Sequence, residues 1–116
     1  MINGSHAILF SNDPDADRAF FADVLDFPSV DAGGGWLIFK LPPAELALHP
    51  ADGPPAHELY FMCDDIDRTI DELRAKGVEF TQDINEERWG RLTRLRLPGG
   101  GEVGMYEPRH PRANDL

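Results

Sequence analysis

A glycine-rich stretch, PGGGEVG, contains the first residues whose types and spacing suggest chemistry. Gly99, Gly101 and Gly104 match the Gly-x-Gly-x-x-Gly fingerprint. In dinucleotide-binding proteins that fingerprint lies between a strand and a helix, and the N-terminus of the helix holds the pyrophosphate. Here the residues after Gly101, EVGMYEP, are typical of a strand. We therefore predict a hairpin turn at Gly99–Gly101 and no phosphate site.

The charge balance limits the partners of this chain. Its formal net charge is −10, from 21 acidic and 11 basic residues. Nucleic acid and anionic membranes need clustered cations, so neither is expected as a partner. The one basic cluster consists of Arg88, Arg91, Arg94 and Arg96. These arginines are either solvated charges on a strand, or one or two of them face a cleft and hold an anionic substrate.

The sequence lacks the common catalytic signatures. It has no Gly-x-Ser-x-Gly elbow, Cys-x-x-Cys pair, His-Glu-x-x-His motif or Walker loop, so no catalytic residue is predicted. The single cysteine, Cys63, precludes an intrachain disulfide, and we expect a cytoplasmic protein with this thiol in a structural role. No apolar run approaches the roughly 20 residues of a membrane span.

The order of predicted elements repeats along the chain. A strand at 6–11, a helix beginning at Asp13 and Pro14, a turn at Gly33–Gly35 and strands at 36–42 and 45–50 form the first series. A Pro- and Gly-rich linker follows. The second series has a strand at 57–63, a helix at 64–77 that is capped by Asp64 or Asp65 and ends at Gly77, a strand at 78–84, a loop at 85–90 and strands at 91–98 and 102–108.

The repetition indicates an internal duplication of about 50 residues. His6 and His57 each open an apolar strand, and ELALH aligns with EVGMY. We predict an α+β fold of two tandem βαβββ modules whose curved mixed sheets meet around a cleft. The predicted single domain, residues 1–116, divides into module one (about 5–50), a linker (51–56), module two (about 57–108) and a tail (109–116).

Three segments together resemble the vicinal oxygen chelate superfamily, which includes glyoxalase I, extradiol dioxygenases and bleomycin resistance proteins. They are HAILFSNDPDADRAFFADVLDF, HELYFMCDDIDRTIDELRAKGVEF and LPGGGEVGMYEP. The resemblance covers about residues 6–108 and implies the paired-module fold and a homodimer. One departure is Asp26, at a position where the family has a glycine that ends the first helix; an aspartate can adopt the same left-handed conformation.

The resemblance also implies where a metal would bind. Metal-dependent members take one ligand from the start of each module's first strand and one, usually a Glu, from each fourth strand. His6 and His57 match the first-strand positions, but the fourth-strand positions fall on Ala47 and Gly104, which cannot bind a metal. No metal is therefore favoured, since such sites want three or more protein ligands.

Two further residues can extend this set. His49 and Tyr106 lie two positions beyond Ala47 and Gly104, on the same face of each predicted strand. If a divalent ion (Ni, Zn, Co, Fe or Mn) is bound, we expect His6, His49 and His57 to hold it. Otherwise these histidines line the cleft or its rim. Glu107 falls on the opposite face and is not expected to be a ligand.

The aromatic residues complete the expected pocket. Either Trp36 and Trp89 plug the core, or Trp89 and Tyr106 lie on the wall of the cleft and offer a flat apolar surface to a ligand. Ala47 and Gly104 are expected to leave room in the middle of the cleft. The predicted pocket for a small organic ligand therefore comprises His6, Ala47, His49, His57, Trp89, Gly104 and Tyr106.

Two functions of different classes follow. The favoured one is a metal-free protein of the glyoxalase and bleomycin-resistance type that binds a small organic molecule. The alternative is a metal-dependent lyase, isomerase or extradiol dioxygenase, in which the ion acts as a Lewis acid on vicinal oxygens of the substrate. Whether the protein is an enzyme stays open at this point.

Overall fold

The computed structural model describes Met1 and residues 3–116. Helix α1 covers Pro14–Ala19 and continues as a π-helical turn over Phe20–Val24, and helix α2 covers Ile66–Ala75. The strands are β1 (Ser29–Asp31), β2 (Leu37–Phe39), β3 (Tyr60–Met62), β4 (Glu79–Phe80), β5 (Asn85–Glu87), β6 (Gly90–Arg96) and β7 (Glu102–Pro108), and a 3-10 turn covers Ala113–Asp115.

The C-terminal half of the chain forms the larger sheet. Its strand order is β3-β7-β6-β4, and β5 pairs with the start of β6. Strand β3 runs parallel to β7, whereas β6 is antiparallel to β7, β4 and β5. In the N-terminal half β1 and β2 form a separate antiparallel pair. Helices together with sheets of mixed orientation confirm the predicted α+β class.

Side chains alternate between the two faces of the larger sheet. One face carries Leu95 and Val103, each 1% exposed, and packs against α2 and the π-helical turn. The opposite face carries Tyr60, Gly104 and Arg94. Because Tyr60 pairs with Gly104 and Gly104 pairs with Arg94, these three residues lie in one row across β3, β7 and β6.

The helix boundaries follow from local chemistry. The Asp13 side chain accepts a hydrogen bond from the backbone of α1, and Pro14 is its first residue, as predicted. Asp65 caps α2 in the same way, and Gly77 ends it with a φ of 86°. Asp26 has a φ of 58°, which confirms that it takes the left-handed conformation. No helix in the described part of the chain is long and apolar enough to cross a membrane.

A shared core joins the two halves of the chain. Phe20 and Phe21 of the π-helical turn pack against Leu95, Leu97 and Val103 of the larger sheet and the turn beyond it. Burial of one such side chain contributes about 1.5–3 kcal/mol to the free energy of unfolding. The halves are therefore held together on the helix-covered face of that sheet.

The glycine-rich stretch is a hairpin turn that also contacts α1. The backbone N–H of Leu97 donates to the Gly101 carbonyl at 2.8 Å, and β7 begins directly afterwards, which confirms the predicted turn. The N–H of Gly99 donates to the buried carboxylate of Asp17 at 2.7 Å. A Cβ at Gly99 would lie 2.5 Å from that carboxylate, so glycine is required for the contact between helix and turn.

Several predicted strands are shorter in the structure or absent from it. Residues 6–11 and 45–50 contain no strand, and only Leu37–Phe39 of the predicted strand at 36–42 is paired. A strand needs a neighbour for its backbone N–H and C=O groups, and the described part of the chain places none beside these two segments. Strand β1 was not predicted, since Ser29–Asp31 is short and exposed.

In the C-terminal half the differences are smaller. The predicted strand at 78–84 is reduced to β4, Glu79–Phe80. The predicted loop at 85–90 contains the short strand β5, Asn85–Glu87, because this segment turns back along the first residues of β6.

Candidate functional site

Three of the seven predicted pocket residues lie in the two segments without neighbours, and a fourth, His57, precedes β3 outside any strand. His6, Ala47, His49 and His57 are all exposed. Within the residues that the structure describes, no group of three or more His, Cys, Asp or Glu side chains could hold a metal ion. That these four residues share one pocket stays a prediction.

The structure brings the other predicted aromatic residues together on the larger sheet. The rings of Trp89 and Tyr106 lie 5.3 Å apart, and Tyr60 lies 5.9 Å from Tyr106 and 6.5 Å from Trp89. The three rings stand nearly perpendicular to one another, with interplanar angles of 71° to 87°. We call Tyr60, Trp89 and Tyr106 the aromatic cluster. Tyr60 was missed from the sequence, where its alternating strand marked it only as one of several apolar residues.

Gly104 lies beneath the ring of Tyr60. A Cβ at Gly104 would be 2.2 Å from two ring atoms of Tyr60, closer than any real contact. The prediction that Gly104 leaves open room in the cleft is therefore wrong, because the neighbouring strand fills that space with its own aromatic ring. Glycine at this position allows the ring to lie across β7.

The hydroxyl of Tyr106 meets two polar side chains. It lies 3.0 Å from Nε2 of His110 and 3.5 Å from Oε1 of Glu45. His110 donates from Nδ1 to the Pro111 carbonyl at 2.7 Å, so Nε2 is the acceptor for the Tyr106 hydroxyl. Sequence reasoning missed both partners. His110 lies in what was predicted to be a tail, although its spacing of four residues after Tyr106 was a usable signal.

Glu45 connects the N-terminal half to this cluster. Its carboxylate accepts hydrogen bonds from the backbone N–H groups of Ala113 and Asn114 at the 3-10 turn. The same carboxylate lies beside the Tyr106 hydroxyl. Glu45 therefore holds the chain near residue 45 against the C-terminal turn and places it at the edge of the aromatic cluster.

The tyrosine hydroxyls remain hydrogen-bond donors at neutral pH. Burial raises the pKa of Tyr106 above its ordinary value, and the negative charge of Glu45 adds to the effect. The pKa of Tyr60 is also raised, first by burial and then by Glu58, while the positive charge of Arg94 opposes the change. Both phenols are thus protonated over the physiological range.

All three arginines on β6 lie near carboxylates, at distances that increase from Arg91 to Arg96 and then to Arg94, which is 3.5 Å from Glu102. Arg91 lies 2.9 Å from both Asp67 and Glu86 on the helix-covered face, and Arg96 lies 3.3 Å from Glu79. Arg94 is on the face of the aromatic cluster, with its guanidinium 6.0 Å from the ring centroid of Tyr60. That one of these arginines holds an anionic substrate stays a prediction.

The remaining residues singled out from the sequence make contacts away from the aromatic cluster or within the backbone framework. Trp36 is 63% exposed and stacks under the guanidinium of Arg18 at 4.7 Å, away from the aromatic cluster. Glu107 accepts a hydrogen bond from the first N–H of α2, which confirms that it faces the opposite side. Cys63 is half-buried and donates to the Tyr106 carbonyl, and burial raises the pKa of its thiol to about 11. Such a thiol is a poor nucleophile.

The residues present do not fit a metal site of the type that the resemblance implies. The fourth-strand position in the C-terminal half is Gly104, which has no donor atom, and the ring of Tyr60 covers it. The corresponding position in the other half is Ala47, in a segment that forms no strand. Two open depressions elsewhere, of about 280 and 410 Å³, lie along α2 and beside the π-helical turn and contain none of the predicted pocket residues.

Solved structures with the same fold include proteins whose names indicate different functions. Lactoylglutathione lyase from Agrobacterium tumefaciens is 21% identical, with a TM-score of 0.64 over 90% of this chain and 92% of that one. The antibiotic binding protein TnmS3 from Streptomyces sp. CB03234 is 23% identical, with a TM-score of 0.60 over 93% and 99%. A superfamily member from Sphaerobacter thermophilus DSM 20745 is 24% identical, with a TM-score of 0.62 over 91% and 98%. These likenesses establish the fold alone.

The sequence itself identifies the family. No curated protein matches the chain. The family model described as Glyoxalase/Bleomycin resistance protein/Dioxygenase superfamily matches residues 5–104, which is most of its length. The match includes both helices, the glycine-rich turn, and Tyr60 and Trp89 of the aromatic cluster. The chain therefore belongs to the Glyoxalase/Bleomycin resistance protein/Dioxygenase superfamily.

Proposed function

We propose that this protein binds a small organic molecule at the aromatic cluster and that it does so without a resident metal ion. The observation that carries this proposal is the ring of Tyr60 lying over Gly104. At the position where metal-dependent relatives would supply a ligand, this chain has an aromatic surface instead. The chemistry of that position therefore favours contact with an apolar or aromatic ligand.

The surroundings of the cluster support the same function. Tyr60 and Tyr106 are partly exposed, and Trp89 is 36% exposed, so their rings are accessible to a ligand. The two phenol oxygens place polar groups beside these flat surfaces. Pockets for small organic molecules combine mostly aromatic walls with a few placed polar groups in this way. The likeness to an antibiotic binding protein shows that the fold can serve such a role.

We propose further that a second copy of the chain completes the site. Ile8 and Phe10 are 67% and 95% exposed, and Leu46 and Leu48 are 86% and 88% exposed. In extended chain, residues two apart share a face, so each segment presents an apolar edge without a backbone partner. Pairing with another copy would bury these residues and enclose the aromatic cluster. We also propose that the chain is divided into the two modules described above and that the protein is located in the reducing cytoplasm.

Sedimentation velocity tests the homodimer. At about 100 µM we expect a sedimenting species with twice the 12.9 kDa mass of the chain. We expect the variants Phe10→Asp and Leu48→Asp to sediment as monomers. Leu116→Asp is the matched control, because Leu116 is equally exposed but lies outside both segments. A wild-type protein that sediments as a monomer at this concentration contradicts the dimer.

Fluorescence tests the binding function directly. The chain has two tryptophans, and the exposed Trp36 can be changed to Phe so that Trp89 becomes the only reporter. We expect compounds from an aromatic small-molecule library to quench Trp89 in the presence of a chelator. Tyr106→Ala should weaken the compounds by about tenfold, the usual loss when a central aromatic contact is removed. Absence of any ligand, or binding that requires added metal, contradicts the proposal.

A further inference from the structure

The row formed by Tyr60, Gly104 and Arg94 has a feature that the proposed function does not use. Because Gly104 lacks a side chain, the ring of Tyr60 lies across β7 toward β6. That position brings it under the guanidinium of Arg94, whose centre is 6.0 Å from the ring centroid. A positive charge is therefore held directly beside the aromatic surface.

Arg94 is held only weakly by neighbouring carboxylates. Its closest described carboxylate is Glu102, with Nε 3.5 Å from Oε1, at the outer limit of a hydrogen bond. The same Glu102 oxygen accepts a shorter bond, 2.6 Å, from the hydroxyl of Thr81. Arg91, by comparison, is held at 2.9 Å by two carboxylates on the other face. Arg94 is therefore held less closely by carboxylates than Arg91, and its planar fork of donors lies on the side of the aromatic cluster, beside the Tyr60 phenol.

The local charge around Arg94 differs from that of the whole chain. The protein carries a formal charge of −10, yet long-range repulsion of an anion is screened over about 8 Å at physiological ionic strength. The carboxylates near the row are Glu102, which already accepts a hydrogen bond from Thr81, and Glu58, whose negative charge lies beside the Tyr60 phenol. A guanidinium beside a ring matches a carboxylate on a planar aromatic ligand, because the ring can be covered while the fork binds both oxygens.

We propose that Arg94 is the anion-binding residue of this site, and that the ligand class is planar aromatic molecules that carry a carboxylate. This inference rests on the proposed function, since it assigns the ligand class of the same aromatic cluster. Arg94 binds the carboxylate, and the ring of the ligand packs on the aromatic cluster.

Paired probes test this assignment on the full-length protein. Benzoate and 1-naphthoate are compared by calorimetry with benzamide and 1-naphthamide, which have the same shape without the charge. We expect each carboxylate to bind about tenfold more tightly than its amide, and Arg94→Gln to remove that preference while leaving amide affinity within about twofold. Arg94→Lys should retain part of it, because lysine keeps the charge but loses the fork.

Arg96→Gln is the matched control, since Arg96 lies two residues further on the same strand and is paired with Glu79. We expect it to leave all four affinities unchanged. Equal binding of carboxylates and amides, or a preference that survives Arg94→Gln, overturns the assignment and leaves the proposed function standing. If none of the four probes binds up to about 5 mM, a free energy of only about −3 kcal/mol, the assignment of the ligand class fails, whereas the proposed function fails only if the aromatic library also gives no ligand.

Discussion

The two halves of this chain have similar apolar patterns but reach different degrees of order. In the C-terminal half, β6 and β7 pair over their full length and bury Leu95 and Val103 between the sheet and the helices. In the N-terminal half, residues 6–11 and 45–50 have comparable strand-like composition but remain exposed. The difference shows that an apolar alternating segment becomes a strand only where another backbone completes its hydrogen bonds.

The largest expected effect on stability is the difference between replacing a buried leucine in the C-terminal half and replacing an exposed leucine in the N-terminal half. Leu95→Ala should lower the free energy of unfolding by about 2–5 kcal/mol, because Leu95 is 1% exposed in the shared core. Leu48→Ala should change it by less than about 0.5 kcal/mol in the monomer, because Leu48 is 88% exposed. Urea unfolding at low protein concentration measures both. Equal losses would remove the distinction between the halves.

The connection between the halves can be broken at Asp17. Asp17→Ala leaves the buried N–H of Gly99 without its acceptor and should cost about 1–3 kcal/mol of unfolding free energy. Asp17→Asn keeps an acceptor oxygen at that place and should recover most of the loss. If the two variants are equally destabilised, the charge of Asp17 matters more than its hydrogen bond.

The contact between Tyr60 and Gly104 can be tested by placing a side chain at position 104. Gly104→Ala should cost about 1–3 kcal/mol, because the new Cβ overlaps the Tyr60 ring. Gly101→Ala is the control, since no atom lies within 4 Å of a Cβ at that position. In a Tyr60→Ala background the cost of Gly104→Ala should largely disappear. Additive costs in the double variant would show that the ring does not fill the space above Gly104.

The smallest expected effect is in the pH dependence of stability. The chain has two tyrosines, Tyr60 and Tyr106, and both have raised pKa values in the folded protein. The folded state therefore holds these protons more tightly, so its stability is full below about pH 10 and decreases as the pH rises further. The ultraviolet absorbance of phenolate, followed during an alkaline titration, should show that both tyrosines ionise at a higher pH than free tyrosine does. Ionisation of both residues near pH 10 in folded protein contradicts their partial burial.

Local signals in the sequence predicted the parts of the fold that local chemistry decides. The helix caps at Asp13 and Asp65, the stop at Gly77 and the turn at Gly99–Gly101 all depend on residues a few positions apart. The alternation of β7 likewise placed Glu107 on the face opposite the site. These features require no knowledge of distant strands.

The parts that were missed depend on contacts between distant residues. The ring of Tyr60 covers Gly104 only because β3 and β7 pair in a particular register. Glu45 and His110 meet Tyr106 only once the chain ends have packed around the sheet. The rings of Trp89 and Tyr106 do lie together, but their role as walls of a ligand pocket stays a prediction. The shared pocket of His6, Ala47, His49 and His57 stays a prediction.

The central claim is that this member of the superfamily binds its ligand without a metal ion, and metal content tests it most directly. Tag-free protein purified without chelator should contain no stoichiometric metal, and its melting temperature should not respond to micromolar Ni(II), Co(II), Zn(II), Fe(II) or Mn(II). Near-stoichiometric metal that is lost in His6→Ala or His57→Ala would contradict the claim and favour a metal-dependent enzyme.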